Sequence, residues 1–245
     1  MQINTFGPYT LRRELARGVW LAESGGREVA LKLAPAGGGA FLRAAWLAAR
    51  LDHPGVVAVL DAGERDGTAY VVSEHVPGPS LAAALEAGPP PLERALAWTG
   101  QLLEALAHVH KRGVVHRDIK PSNLLLAADG GLRIADFGLA CRAGPAEAHG
   151  TPAYMAPEQM RGQVDQRSDL YAAGVVLYQL LEGRKPYRGT PFEVMRLALA
   201  GEPPPLPRAL ARYDAVLARA LAPDAGRRFQ TADDFLAGLH SCSTL

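Results

Sequence analysis

Cysteine is nearly absent from this chain, and the two that occur, Cys141 and Cys242, stand far apart with no metal-ligand spacing. That excludes a disulfide framework and a thiolate metal centre, and it fits a reducing compartment. An excess of either charge is missing too: 26 Lys and Arg against 25 Asp and Glu leave a net charge of +1. No electrostatic footprint therefore points to nucleic acid or to an anionic membrane surface. The seven histidines do not cluster as ligands would. The start, MQINTFGPYT, lacks a basic-then-apolar leader pattern. The longest apolar run, residues 170–181, is too short to span a bilayer and is flanked by Asp169 and Glu182. It reads as a buried helix, and the expectation is a cytoplasmic protein without membrane insertion. Internal repeats are absent as well.

What is present is enough apolar material, 48% of 245 residues, for a sizeable core in one domain or two lobes. The first third alternates short apolar runs with glycine-rich turns, which predicts strands over 9–15, 19–22, 28–34, 56–61 and 69–76. One helical segment, 41–51, follows Gly37-Gly38-Gly39. From residue 80 the period becomes helical. Residues 91–113 place Leu92, Leu96, Leu103, Leu106 and His110 near one face, with Pro91 at the start and Gly113 at the end. Further helices are predicted over 167–182, 191–200, 209–221 and 231–240, with loops at the proline runs 89–91 and 203–205. The expected class is α+β: a small β-rich lobe over 1–75 and a larger helical lobe over 76–245, joined near Ser73-Glu74-His75.

The residues that carry chemistry lie on both sides of that join. Lys32 sits within a strand-forming run, where an unpaired ammonium is costly and a phosphate is a natural partner. Phosphate turns usually carry several glycines, yet only Gly18 lies in the first turn. Later, VVHRDIKPSNLLL (114–126) and LRIADFGLA (132–140) each hold a carboxylate between apolar runs. A buried carboxylate needs a partner, and a divalent metal is the strongest candidate. Asn123 and Asp136 suit one or two Mg²⁺ ions against a polyphosphate. Asp118 is then left to orient an attacking hydroxyl and accept its proton, with Lys120 on the same side of an extended segment to neutralise the transferring phosphoryl.

These segments resemble the eukaryotic-type serine/threonine protein kinases, in particular their bacterial branch. The resemblance rests on VALK (29–32), HRDIKPSN (116–123), DFG (136–138), GTPAYMAPE (150–158), SDLYAAGVVLYQLLEGRKPY (168–187) and RRF (227–229), in order from about Tyr9 to Leu239. It implies a two-lobed kinase fold that transfers the γ-phosphoryl of Mg-ATP to protein Ser/Thr hydroxyls. It also implies roles. Lys32 would contact the α/β-phosphates, Asp118 would be the catalytic base with Lys120 beside it, and Asn123 and Asp136 would bind Mg²⁺. Thr151 would touch the catalytic loop. Glu74 and Val76 would offer hinge backbone groups to adenine, while Val19, Ala30 and Leu125 sandwich its ring. Gly18 would be what remains of the phosphate flap. Glu158 would pair with Arg228, and Asp169 would hold the catalytic-loop backbone. Lys120 points to Ser/Thr rather than Tyr acceptors.

The chain departs from that family in four places. Between Leu15 and Val19 the family loop G-x-G-x-x-G-x is reduced to Ala16-Arg17-Gly18, so weaker, Mg²⁺-dependent nucleotide binding is expected. The helix over 41–51 has no acid; counting back from His53-Pro54, the family glutamate that pairs with the lysine falls at Ala44. Ser73, just before the hinge, is small. Between Gly138 and Gly150 there is no Ser, Thr or Tyr for Arg117 to bind once phosphorylated, and Glu147 either takes the phosphate's place or is merely solvated. The losses in the small lobe keep a second reading open, a pseudokinase that binds nucleotide or a partner with little transfer. A small-molecule phosphotransferase is a third, against which Lys120 and GTPAYMAPE argue. Elsewhere His116 is expected to be a packed core histidine, Trp20 and Trp46 lobe packing, and Cys141 an ordinary small residue. The partners expected are ATP, a protein substrate and, with no sensor domain, membrane helix or tail alongside, a separate regulatory protein.

Overall fold

The computed structural model describes residues 5–34, 38–147 and 149–242. The first lobe is built on an antiparallel sheet of β1 (Thr5–Phe6), β2 (Tyr9–Ala16), β3 (Val19–Ser24), β4 (Arg27–Ala34), β5 (Val59–Arg65) and β6 (Thr68–Glu74). Their order is β1-β2-β3-β4-β6-β5. Helix α1 (Gly39–Ala48) lies between β4 and β5 in sequence. Gly25 and Gly26, with φ of 58° and 77°, make the two-residue turn between β3 and β4, where both positions need left-handed backbone. Side chains alternate across the sheet. Val29 and Leu31 of β4 join Tyr9, Ala22 and Val72 in an apolar cluster of the sheet's own. Ala30 and Lys32 therefore face the other way, which is how a lysine is accommodated in an apolar strand.

The second lobe is helical. It contains α2 (Leu81–Leu85), α3 (Leu92–Lys111), the hairpin β7 (Leu124–Leu126) and β8 (Leu132–Ile134), β9 (Gly144–Pro145), α4 (Pro157–Met160) and β10 (Gln163–Val164). It continues with α5 (Gln166–Glu182), α6 (Pro191–Ala200), α7 (Asp214–Ala220) and α8 (Ala232–Ser241). The apolar run read as a buried helix is α5, whose residues 168–178 are all buried. Asp165 and Ser168 close a capping box at its start, and Gly183, at φ 74°, ends it. One continuous core runs from Ala44 and Ala48 of α1 through α3 and α5 to Leu239 of α8. The helix that lies beside the sheet in sequence thus packs into the core of the large lobe.

Three expectations need correcting. The strand placed at 56–61 starts only at Val59, because Val56 pairs with Ile134 of β8 and the Val57 amide donates to the Ile134 carbonyl at 2.9 Å. The helix placed at 209–221 is a 3₁₀ segment over Arg208–Tyr213 followed by α7. Trp46 does not pack a lobe: it is 58% exposed, while α1 buries Ala44, Ala45 and Ala48. An alanine face lets the helix approach closely, and the large aromatic is left outside; Trp20 is half-buried.

Substituting Trp46→Gln is expected to change stability by less than about 0.5 kcal/mol, as at an ordinary surface site. Ala44→Glu, at 1% exposure, is expected to overpack the core at a cost of about 1–3 kcal/mol. Urea unfolding midpoints of the two variants check both.

Candidate active site

A cavity of about 860 Å³ is lined from both lobes. Val19 and Ala30 come from the sheet, Leu125 from β7, and Glu74 and Val76 from the end of β6 and the segment after it. Lys32, Asn123 and Asp136 line the same space. Every residue expected to contact nucleotide or metal is thereby brought together, except Gly18. Gly18 is not on the cavity wall; its amide donates to Glu14 Oε1 at 2.8 Å and its carbonyl accepts from Leu33 at 3.1 Å. Only Arg17 and Gly18 separate β2 from β3.

Lys32 finds its partner in Asp136: Nζ lies 2.5 Å from Oδ1. The Phe41 ring centroid is 5.9 Å from the same ammonium. Burial pushes the Asp136 carboxyl up, but the Lys32 charge and hydrogen bond, His116 and the Gly138 amide bring it below its ordinary value. Asp136 itself is left-handed, at φ 59°, a costly conformation that clusters at functional positions. Ala44, the position expected to face Lys32, is not on the cavity wall. The residues that α1 presents there are Phe41, Ala45 and Ala48.

Beside the cavity, four side chains form one network. Lys120 Nζ is 2.7 Å from Asp118 Oδ2 and donates to Thr151 Oγ1 at 2.8 Å. Thr151 donates to Asp118 Oδ1 at 3.2 Å. The Asn123 amide nitrogen donates to the Asp118 carbonyl at 2.8 Å and to its Oδ2 at 3.0 Å. With the amide hydrogens spent on Asp118, the Asn123 carbonyl oxygen is the atom left for a cation. A neutral amide oxygen and a carboxylate on one cavity wall are the hard donors that Mg²⁺ takes. No cluster of three or more His, Cys, Asp or Glu side chains able to hold a metal occurs among the described residues. Mg²⁺, which keeps waters and substrate phosphates as ligands, needs no such cage.

Asp169 underpins this network. Its side chain is fully buried and accepts from the backbone amides of His116 at 2.9 Å and Arg117 at 2.8 Å, with His110 Nε2 at 2.8 Å. Burial pushes its carboxyl up, but the His110 hydrogen bond, the two histidines and the His116 amide hold it below the ordinary 3.8. His116 is a packed core histidine, as expected. It is fully buried, its Nδ1 accepts from the Asp118 amide at 3.2 Å, its Nε2 reaches the Ala135 carbonyl at 3.0 Å, and its ring meets Phe137 edge-on. The pairing of Glu158 with Arg228 also holds, as two bonds of 2.7 Å.

The expected pairing of Glu147 with Arg117 is not what forms. The guanidinium donates to the backbone carbonyls of Glu147 and, at 3.3 Å, Leu139. The Glu147 carboxylate is 87% exposed and lies 3.5 Å from His149. A search for charges in a sequence cannot see a carbonyl, which is why the acid looked like the partner. Two further residues were not anticipated. Gln159, in the first turn of α4, is buried with its amide on the Arg117 and His149 carbonyls. Arg133 of β8 donates to Glu74 Oε1 at 3.1 Å, tying the end of β6 to the second lobe. Their signal in the sequence was only a polar residue beside a recognised motif.

The protein kinase domain family matches residues 38–200. A probable serine/threonine-protein kinase of Streptomyces coelicolor is 38% identical over 243 residues, which cover 89% of this chain and 36% of the relative. Serine/threonine-protein kinase pkn2 of Myxococcus xanthus is 39% identical over 271 residues, 96% of this chain and 33% of the relative. Serine/threonine-protein kinase PknB of Mycobacterium tuberculosis is 38% identical over 218 residues, 81% of this chain and 35% of the relative. The chain spans about a third of the length of these curated relatives.

Two measurements follow from the geometry. Because the folded-state value of Asp169 lies below 3.8, its stabilisation is present above that pH and is lost as pH falls through the lowered value. Denaturant unfolding from about pH 7 to about pH 2 is expected to show a shallower acid loss in Asp169→Asn, from a lower starting stability. Ser73 lines the cavity together with Val71, Ala45 and Ala48, and it is small. Ser73→Met is expected to weaken bulky adenine-site inhibitors by about tenfold or more; equal affinity for both forms in a binding titration counts against that wall.

Proposed function

The chain belongs to the protein kinase family, and from that membership we propose that it is an ATP-dependent protein kinase acting on Ser/Thr hydroxyls. Its division into lobes falls at residues 75 and 76. The observation that carries the reading is the hydrogen-bonded set of Asp118, Lys120, Asn123 and Thr151 next to a cavity lined by Lys32 and Asp136.

In this reading the acceptor hydroxyl docks against Asp118. Its proton passes to the carboxylate as its oxygen attacks the γ-phosphorus in line and the bond to the β-phosphate oxygen breaks, leaving ADP. Lys120, 2.7 Å from Asp118, neutralises charge building on the transferring group. Thr151 fixes the direction of the carboxylate by donating to Asp118 Oδ1 at 3.2 Å while accepting from Lys120 at 2.8 Å. Lys32 holds the α/β-phosphates once it exchanges part of its bond to Asp136 for them. Mg²⁺, held by Asn123 and Asp136, would neutralise the polyphosphate and polarise the γ-phosphoryl. Val19, Ala30 and Leu125 receive the adenine ring, with backbone groups of Glu74 and Val76 at its edge.

The pseudokinase reading is the weaker one, because the groups that do the chemistry are mutually hydrogen-bonded rather than scattered. The small-lobe departures bear on affinity, since Asp136 already satisfies Lys32 where the usual acid is missing. No helix among the described residues is long and apolar enough to cross a membrane. We place the work in the cytoplasm, where ATP is available and the free Cys141 and Cys242 stay reduced.

Transfer from labelled ATP to the protein itself or to a generic basic protein is expected from the wild type. Asp118→Asn is expected to lower it by about 10²–10⁴-fold. Calorimetry is expected to show nucleotide binding that depends on Mg²⁺. Tight metal-independent binding without transfer would support the pseudokinase instead.

A further inference from the structure

The segment after Gly138 carries no hydroxyl up to Gly150, yet it is tied down along its length by backbone bonds. Arg117 donates to the carbonyls of Leu139 and Glu147. Val115 and Cys141 exchange amide–carbonyl bonds of 2.8 and 3.0 Å. Gly144 and Pro145 pair with Val164 and Gln163, and the Ala146 amide donates to Gly162 at 2.9 Å. At the far end stands Gln159, 2% exposed. Its amide nitrogen donates to the Arg117 carbonyl at 2.6 Å and to the His149 carbonyl at 2.8 Å.

We propose that Gln159 is a positioning residue that latches this segment to the catalytic loop without phosphorylation. The inference rests on the kinase reading above but concerns its regulation. One buried amide uses both hydrogens to join the residue before Asp118 to the residue two before Thr151. Gln159 therefore sets how far Thr151 stands from the carboxylate it touches. Its own position is fixed from below, because the preceding residue, Glu158, is bound to Arg228 at 2.7 Å and accepts from Ser168 at 2.8 Å. The fit is close: a Cβ built on Gly150 would lie 3.0 Å from the Gln159 nitrogen and 3.2 Å from the Arg117 carbonyl. Arg117 is held left-handed at φ 72°, which turns its carbonyl toward α4 while its guanidinium reaches the segment. A phosphate would normally supply the charge that orders such a segment. Here carbonyls and one glutamine amide do so.

The test uses protein shown by intact mass to carry no phosphate. Hydrogen exchange of residues 139–151 is expected to be slow and unchanged after incubation with Mg-ATP, and transfer to start without a lag. In Gln159→Met, which keeps the length but removes both donors, exchange of that segment is expected to rise by about tenfold or more. kcat is expected to fall by a similar factor, with KM for ATP within about twofold and the unfolding midpoint little changed. Wild-type exchange that slows only after autophosphorylation, or Gln159→Met exchange equal to wild type, overturns the latch. Slow exchange in a wild type that transfers nothing supports the latch and overturns the kinase reading, so the two fail separately.

Discussion

A carboxylate removed from water on the central helix is the constraint on which the active region depends. Ionised Asp169 in a buried place is tolerable only because two backbone amides and His110 bond to it. Those amides belong to His116 and Arg117, so satisfying the charge dictates the path of the chain just before Asp118. Arg117 is thereby held at a backbone angle that non-glycine residues avoid, and the cost, of order 1–3 kcal/mol, is met by the bonds Asp169 accepts. α5 has no solvated face to offer an alternative. The segment leading into Asp118 is thereby tied to the core beneath it.

A second buried charge does for the following segment what Asp169 does for the loop. Arg228 is 1% exposed and bonds to Glu158 and to the carbonyls of Ala222, Pro223 and Arg167. Every polar hydrogen turned inward there has an acceptor, which separates an anchoring ion pair from a destabilising one. Two buried charges in the large lobe, Asp169 and Arg228, thus anchor the segment leading into Asp118 and the helix α4 that follows Thr151. The small lobe is held differently. Its sheet has a separate apolar cluster, and its helix α1 shares the core of the large lobe through Ala44 and Ala48.

Much of this was legible before any coordinates. The grouping of Asp118, Lys120, Asn123 and Asp136 at and beside one cavity was readable because the motifs that carry them keep fixed residue types at fixed intervals. The strands around Lys32 were readable because alternation and a Gly-Gly turn leave few alternatives. What escaped was decided by packing or by backbone groups. Trp46 looked like core because it is large and apolar, but the helix approaches through its alanines. Val56 and Val57 read as the start of a strand, yet they pair with β8 across the lobes. Arg117 was matched to an acid because sequence displays charges and hides carbonyls. Gln159 has no distinguishing pattern at all; its meaning comes from two acceptors brought to it from 42 and 10 residues away.

The turn between β2 and β3 bears on how the cycle of such an enzyme would run. A long glycine-rich loop folds over the phosphates and must lift before the spent nucleotide leaves. Here Arg17 and Gly18 alone join the strands, and the one glycine amide is held by Glu14. Nothing of that length could close over a triphosphate in the cavity, so on the proposed reading the departure of ADP would require no loop to open. In the proposed kinase cycle, binding strength surrendered at the phosphates would return as a shorter residence time of the product, and turnover would come to depend on chemistry and acceptor exchange rather than on nucleotide release.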